Sequence, residues 1–400
     1  MRRRMLMIGL SWTLVLLCGT AVAVSSAVAR GRDWPGASAP AAPKVAVVAS
    51  GLNSPKHLTY TLQGVYVAES GTGGIDCVPG PPLQGPPTPT IPYCEGPTAA
   101  VALIQGHHVR VVASGLPSVI ASGEALGPAA VSVGWFGQLS IVYQDELVNS
   151  NGTNNLPGPA ATTFGTFQLN PFVSAKVADF AAAHPQTLPA NGVPGETPYD
   201  SDPYDAIPYR GGYVLTDAAA NSLLYVTPRG QISLLARFPT ENETPPPFLE
   251  LPFNPTAAQA VPTAVAVGPG GALYVSTLNG VPSDPGDAVI YRVVPGQQPQ
   301  VWATGLSAVT ALAFGPRGRL YATELSTAGL LGAPATPGAL VEITRDGTQV
   351  STVSLPTSVT LTEPTGVAVA PDGTVYVANN GTSSATDNPP GEVLAITGLH

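Results

Sequence analysis

The stretch EPTGVAVAPDGTVYVANNG (363–381) contains a complete pattern for two β-strands joined by a tight turn. Small and large residues alternate along GVAV, and this period of two is typical of a strand with two different faces. The segment APDG places a glycine where a hairpin needs a positive φ, and VYVAN then has the composition of a second strand. The stretch therefore predicts a β-hairpin, and its recurrence decides the fold.

The same hairpin pattern recurs along the chain, as expected of a repeat architecture. The other copies are VPTAVAVGPGGALYVSTLNG (261–280), SAVTALAFGPRGRLYATELS (307–326), SPKHLTYTLQGVYVAESG (54–71), GPAAVSVGWFGQLSIVYQDE (127–146) and DPYDAIPYRGGYVLTDAAAN (202–221). A third strand follows each hairpin, and a fourth follows five of the six, for example SAKVADFA (174–181). We name the four strands of each unit a, b, c and d.

The two ends of the repeat region complement each other. KVAVVASGL (44–52) closely matches the d strand VRVVASGL (109–116) but precedes the first a strand, whereas GEVLAITGL (391–399) ends a unit that lacks a d strand. Pairing these two segments closes a ring and protects the sheet edges. The sequence therefore predicts an all-β fold, a six-bladed β-propeller over residues 44–400, in which the N-terminal strand completes the last blade.

The N-terminal region has the pattern of an export signal. Three arginines at positions 2–4 precede an apolar run, and Ala-x-Ala sites end at Ala23 and Ala29, the pattern that a signal peptidase recognises. We predict a signal peptide over residues 1–29 and a flexible linker over 30–43, with an uncleaved membrane anchor as the alternative. No later apolar run approaches membrane-spanning length. The mature protein is expected to be secreted or to remain in the cell envelope.

Composition and cysteine spacing exclude several classes of protein. Hydrophobic residues make up 44% of the 400 residues, charged residues only 10%, and the formal net charge is -9. These values argue against a disordered chain and against a nucleic-acid-binding protein. Cys77 and Cys94 flank a Pro-rich stretch whose spacing does not suit zinc, so we predict a disulfide that closes a surface loop. We expect a monomer.

Long connections are predicted on one face of the propeller, which we name the long-loop face. In a propeller the b–c and d–a connections share this face, while the a–b and c–d turns, which are short here, share the other. Because binding residues concentrate on loops over a rigid scaffold, a protein, glycan or small-molecule ligand is expected there. The long segments are 71–98, 145–162, 185–202, 239–261, 278–287, 325–337 and 380–390.

Polar residues near the predicted axis are the candidates for a binding site at its mouth. His57 and Asp205 align with small residues in the other a strands, namely Ala130, Ala264, Ala311 and Gly366. The ends of the b strands supply further polar groups: Glu69, Gln144 with Asp145, Asp217, Thr277, Glu324 and Asn379. Their oxygens could hold Ca²⁺, or they could bind one another and loop amides through hydrogen bonds. We find no HExxH, Gly-x-Ser-x-Gly, P-loop or dinucleotide motif, and predict no catalytic residue.

The repeats, best seen in PTGVAVAPDGTVYVAN (364–379), resemble NHL-type propeller repeats. The region from residue 45 to GEVLAITGL is similar to the exported ScyD/ScyE family. That match is carried best by DELVNSNGT (145–153), FGTFQLN (164–170) and the segment at 201–231. The resemblance implies a secreted propeller without an assigned biochemical role. More distantly, the chain resembles gluconolactonase-like calcium hydrolases, although His57 stands where that family has a glutamate.

Two functions from different classes remain open at this point. The first is a non-catalytic binding or scaffold module that presents its long-loop face and needs no cofactor. The alternative is a Ca²⁺-dependent lactonase or esterase with an active site at the axial mouth, which would need at least three converging oxygen ligands and a base.

Overall fold

The computed structural model describes residues 42–79, 92–121, 123–134, 137–145, 156–187, 200–239, 258–280, 283–330, 336–382, 387 and 389–399. The predicted signal peptide and most of the predicted linker lie outside these residues. Strands dominate the described chain, and the helices are the short segments α1 (Ala160–Thr163) and α2 (Val177–Ala183), with single 3₁₀ turns at Pro269–Gly271 and Pro316–Gly318. None of the helices in the described ranges has both the length and the apolar character that crossing a bilayer requires.

The strands form six antiparallel sheets, which are the blades of a β-propeller. Blade 1 contains β2 (Pro55–Thr61), β3 (Gly64–Glu69), β4 (Asp76–Pro79), β5 (Pro92–Gln105), β6 (His108–Ala121) and β7 (Glu124–Leu126). Blade 2 contains β8 (Pro128–Val133), β9 (Leu139–Tyr143), β10 (Thr166–Asn170) and β11 (Val173–Lys176). Blade 3 contains β12 (Pro203–Tyr209), β13 (Gly212–Asp217), β14 (Ser222–Val226) and β15 (Ile232–Arg237).

The remaining blades follow the same order. Blade 4 contains β16 (Pro262–Val267), β17 (Leu273–Thr277), β18 (Ala288–Val293) and β19 (Gln300–Leu306). Blade 5 contains β20 (Val309–Phe314), β21 (Leu320–Glu324), β22 (Ala339–Ile343) and β23 (Val350–Thr352). Blade 6 contains β24 (Gly366–Val369), β25 (Val375–Asn379), β26 (Gly391–Thr397) and β1 (Lys44–Leu52).

The innermost strands form a closed ring around the axis, because each of β2, β8, β12, β16, β20 and β24 contacts the next and β24 contacts β2. Apolar side chains pack mainly between neighbouring blades. For example, Tyr274 of blade 4 joins Leu312 and Val341 of blade 5 in one buried cluster. Small a-strand residues such as Ala264 and Ala311 are fully buried, which allows the sheets to approach closely near the axis.

The ring closes as the matching end segments predicted. Strand β1 pairs antiparallel with β26, from Lys44 opposite Thr397 to Leu52 opposite Gly391. Val48, Ala49 and Leu52 of β1 are buried in the cluster between blades 6 and 1. The predicted six-bladed propeller, completed by its N-terminal strand, is therefore confirmed.

The outer edge of blade 2 differs from the predicted strand SAKVADFA. Strand β11 ends at Lys176, and the chain continues as helix α2 from Val177 to Ala183. The sequence VADFAAA has no period-two alternation and is rich in alanine, the best helix former, while Asp179 in the first turn complements the helix dipole. Helix propensity therefore decides the conformation after Lys176, because β10 begins opposite this residue, at Thr166, and offers no further residue for pairing.

The segment 71–98, predicted as a loop, extends blade 1. Strand β4 pairs with the first residues of β5, and β5 and β6 are each 14 residues long. Cys77 lies directly opposite Cys94 in this pairing and is disulfide-bonded to it, which confirms the predicted bridge. A strand lies on each side of the Pro-rich stretch between the cysteines, and the proline content of the segment had favoured a loop.

We predict that the bridge contributes measurably to stability. Its two cysteines are 17 residues apart, and a loop of that size corresponds to roughly 2–3 kcal/mol of unfolding free energy. Urea unfolding of a chain lacking residues 1–29 should show this loss in a Cys77→Ser, Cys94→Ser double variant. Thiol titration of the unreduced protein should detect no free cysteine, and two reactive thiols would contradict the bridge.

Candidate functional site

The polar residues at the ends of the b strands hold the backbone of the preceding connection. In four blades the side chain accepts a hydrogen bond from a backbone N–H just before the a strand of the same blade. The pairs are Asn53 N to Glu69 Oε2, Asp202 N to Asp217 Oδ1, Ser307 N to Glu324 Oε1 and Thr362 N to Asn379 Oδ1, each at 2.8 Å. These bonds fasten the d–a connection to its own blade.

Burial governs the charge state of these carboxyl groups. It raises the pKa of Asp217 and of Glu324 to about 6 in each case, and it also raises the pKa of Glu69. Asp217 has the largest set of partners, because it also accepts hydrogen bonds from Ser201 Oγ at 2.8 Å and from the N–H of Ala220 at 3.1 Å. These hydrogen bonds partly offset the cost of removing the carboxylate from water.

Asp145 occupies a different place from the other predicted b-strand residues. Strand pairing puts Tyr143 opposite Pro128, so Tyr143 is the blade 2 counterpart of Glu69 and Asp145 lies two residues farther on. The N–H of Asp145 donates to Asp202 Oδ1 at 3.2 Å, which links blade 2 to blade 3. In blade 4 the counterpart is Thr277, whose hydroxyl bonds to Val289 within its own sheet.

His57 and Asp205 are buried near the axis. Their exposed fractions are 5% and 7%, and the ring of His57 meets the ring of Tyr204 edge-on with centroids 5.3 Å apart. Burial lowers the pKa of His57, although the charge of Asp205 acts in the opposite direction, and burial raises the pKa of Asp205. Asp205 Oδ2 accepts a hydrogen bond from the N–H of Val265 at 2.9 Å, which ties blade 3 to blade 4.

A second ring of side chains lies one residue before His57, Asp205 and their counterparts in the other blades. In blades 4, 5 and 6 this residue is a threonine, and its hydroxyl donates to a carbonyl of the next blade. The three bonds, which we name the axial threonine bonds, are Thr263 Oγ1 to Val309 O at 2.7 Å, Thr310 Oγ1 to Pro364 O at 2.7 Å and Thr365 Oγ1 to Pro55 O at 2.6 Å. The counterparts in blades 1, 2 and 3 are Lys56, Ala129 and Tyr204.

These side chains surround a cavity of about 320 Å³ at the axis on the long-loop face. We name it the mouth cavity, and its volume lies at the lower end of the range for small-molecule sites. Every blade contributes to its wall. The lining residues are Lys56, Glu124, Gln144, Asp202, Tyr204, Ala218, Val261, Thr263, Leu278, Thr310, Leu325, Leu330, Glu363, Thr365 and Thr382.

Charged groups cluster on one part of this wall. Lys56 is buried, and its Nζ lies 3.4 Å from Glu124 Oε1. Asp202 also lines the cavity while its Oδ1 accepts the N–H of Asp145, and Glu363, another lining residue, accepts a hydrogen bond from the hydroxyl of Thr382. Because a buried ammonium is costly without a counter-charge, Glu124 offsets part of the cost of burying Lys56.

The backbone before the a strands is strained at the mouth cavity. Val261 and Glu363 both line the cavity and have φ values of 50° and 43°, and Ser54 and Ala308 have similar values at the same place in blades 1 and 5. A left-handed conformation is rare for a β-branched residue such as Val261 and costs on the order of 1–3 kcal/mol. It persists because the flanking N–H and carbonyl groups are fixed, for example Leu278 N to Val261 O at 2.9 Å.

Several of the lining residues are chain neighbours of the candidate residues that the sequence predicted. Lys56 and Tyr204 immediately precede His57 and Asp205, while Ala218 and Leu325 immediately follow Asp217 and Glu324. Sequence reasoning missed most of them because it followed the third residue of each a strand. Aligning the second residue would have revealed Lys56 and Tyr204 as exceptions to a threonine pattern. Within the described ranges, no group of three His, Cys, Asp or Glu side chains could hold a metal ion.

Comparisons with known proteins support the fold. No protein-family model matches the sequence, and a search of curated proteins found no match. A structural-genomics protein of unknown function from Bacteroides thetaiotaomicron is 10% identical with a TM-score of 0.50, covering 89% of this chain and 76% of that one.

Two enzymes are also similar over 89% of this chain. They are the soluble aldose sugar dehydrogenase from Escherichia coli, at 14% identity and TM-score 0.48, and a streptogramin B lyase, at 12% and 0.47, covered over 100% and 97% of their lengths. At these identities the likeness concerns the fold alone. The six sheets of the chain form a β-propeller, and the fold is similar to that of proteins with different activities.

Proposed function

We propose that this protein is a non-catalytic binding module whose ligand enters the mouth cavity on the long-loop face. One observation carries the proposal: a single cavity of about 320 Å³ receives side chains from all six blades. A shaped cavity with a few convergent polar groups on a rigid scaffold is the usual form of a small-ligand site. The candidate calcium ligands Glu69, Asp217 and Glu324 are not among the residues that line this cavity, and each holds a backbone N–H of its own blade instead.

We further propose that the protein is exported and belongs to the ScyD/ScyE family. The export proposal rests on the predicted leader at 1–29 and on the Cys77–Cys94 disulfide, since disulfides persist mainly outside the cytosol. The family proposal rests on the segments that carry the resemblance, two of which form strands β10 and β12 to β14. In this proposal residues 44–400 act as one monomeric propeller.

A thermal-shift screen tests the binding function. The screen would contain amines, sugars, lactones, esters and divalent cations, and at least one class is expected to raise the melting temperature. The shift should be lost in Leu330→Trp, which fills the mouth cavity, and retained in Leu62→Trp, a control on the opposite face where Leu62 is 94% exposed.

Two outcomes would contradict the proposal. One is a screen in which no compound acts, or in which the shift persists in Leu330→Trp. The other is turnover of a lactone or ester together with a stabilisation by Ca²⁺ that EGTA reverses, because a bound ion at a hundredfold excess over its dissociation constant stabilises by about 2.7 kcal/mol. That second result would favour the hydrolase.

A further inference from the structure

The mouth cavity contains a buried hydrogen-bond acceptor without a partner. Gln144 is 1% exposed and lines the cavity, and its Oε1 atom has no hydrogen-bond partner among the described residues. A buried acceptor that loses water without gaining a donor costs about 1–3 kcal/mol. Such an atom in a cavity wall indicates a ligand that brings a donor of its own.

The hydroxyl donors of the cavity are already used within the protein. Thr263, Thr310 and Thr365 give their protons to carbonyls of the neighbouring blades through the axial threonine bonds, and the hydroxyl of Thr382 donates to Glu363. The hydroxyl protons of these four residues are therefore not available to a ligand.

Charge acts in the same direction as hydrogen bonding. Three acidic residues, Glu124, Asp202 and Glu363, line the cavity, whereas Lys56 is the one basic residue of its described lining and is paired with Glu124. The wall is therefore negative on balance. A cation gains from this potential, and an anion of the same size is repelled.

The other part of the wall is apolar. Val261, Leu278, Leu325 and Leu330 come from blades 4 and 5 and face the cavity together. These side chains offer nothing to a hydrated metal ion, but they would stabilise a hydrocarbon group by burial. The cavity thus combines acidic residues with an apolar part.

We infer that the ligand of the mouth cavity is a small organic amine in its ammonium form, with an apolar body. Its N–H groups would donate to Gln144 Oε1 and to the carboxylates, and its body would lie against the leucines. This inference rests on the proposed binding function and specifies the class of ligand.

Three probes of similar shape test the inference by titration calorimetry. Phenethylamine is a cation, 2-phenylethanol is neutral and 3-phenylpropanoate is an anion. We expect phenethylamine to bind about tenfold or more tightly than the alcohol, because one desolvated charge pair is worth at least that factor, and the anion to bind least.

Two variants assign the effect to the named atoms. Glu363→Gln removes a negative charge but keeps an oxygen that accepts the hydrogen bond from Thr382. Gln144→Met removes the unpartnered oxygen and keeps a side chain of similar volume. Each variant should weaken amine binding about tenfold. Asp372→Asn is the matched control, because Asp372 lies in an a–b turn on the opposite face and its Oδ1 bond to Thr374 N survives the change. The affinity should be unchanged in this control.

The outcomes distinguish a failure of the amine inference from a failure of the proposed binding function. If the alcohol or the anion binds as tightly as the amine, or if Glu363→Gln leaves amine binding unchanged, the amine inference is wrong. The same holds if the screen finds other ligands that Leu330→Trp excludes while phenethylamine does not bind. If no compound in the screen binds, the proposed function itself is wrong.

Discussion

Deletion of strand β1 (Lys44–Leu52) is expected to leave the chain unfolded, whereas deletion of residues 30–41 should leave its melting temperature unchanged. Loss of β1 removes the partner of β26 and takes Val48, Ala49 and Leu52 out of the core between blades 6 and 1. Losing buried side chains of this size costs on the order of 5 kcal/mol together, and whole domains are stable by only about 5–15 kcal/mol. Circular dichroism and thermal unfolding measure the difference.

A peptide that supplies the missing strand provides a control for this deletion. Adding a synthetic peptide of residues 42–54 to the shortened chain should restore folded protein, because an open blade accepts a strand through its main-chain hydrogen bonds. A peptide in which Val48 and Leu52 are replaced by Asp should not restore it. Equal melting temperatures for the two deletions would contradict closure of the ring by β1.

Replacing Asp217 should have the second-largest effect on the free energy of unfolding. The residue that replaces it should decide whether stability falls. Asp217→Ala leaves the donors on Ser201, Asp202 and Ala220 without their acceptor, so we expect a loss of about 3 kcal/mol or more in unfolding free energy. Asp217→Asn keeps an acceptor oxygen, as Asn379 does at the same position of blade 6. This variant should be at least as stable as the parent at neutral pH.

The pH dependence of the unfolding free energy shows whether Asp217 affects stability through its charge or through its hydrogen bonds. Burial raises its pKa to about 6 in the folded protein from the ordinary value of 3.8. The folded state therefore binds the proton of Asp217 more tightly than the unfolded state does. The stability that this protonation contributes is fully present below the unfolded pKa and is lost as pH rises through about 6. Urea unfolding should show a larger gain on acidification from about pH 7.5 to about pH 4.5 in the parent than in Asp217→Asn. An equal gain in both proteins would refute this assignment.

The blades and the ring could be predicted from the sequence because they depend on local patterns that recur. Period-two alternation and turn glycines identify each hairpin, and the matching ends at 44–52 and 391–399 identify the closure. The edge of blade 2 could not be predicted in the same way. There the choice between strand and helix depends on whether a neighbouring strand is present to pair with it.

The site was harder to predict than the fold. The sequence placed Glu69, Asp217, Glu324 and Asn379 at equivalent positions, but the direction of each side chain depends on the connection that precedes its blade. These connections differ in length and composition, so no repeat pattern reveals that their amides meet the carboxylates. Gln144 was noticed as a strand-end residue, yet its unpartnered oxygen becomes visible only in the folded cavity.

The uneven distribution of the axial threonine bonds has a consequence for how duplicated blades specialise. In blades 1 and 2 the bond to the next blade has moved to the residues after strand b, as Ser70 Oγ to Pro128 O at 3.1 Å and Asp145 N to Asp202 Oδ1 at 3.2 Å. The inner position of blade 1 makes no threonine bond to blade 2 and holds Lys56, which pairs with Glu124. In a repeat protein the joint between two blades can thus lie at different positions in different copies, which leaves an inner position of one blade open to another kind of side chain.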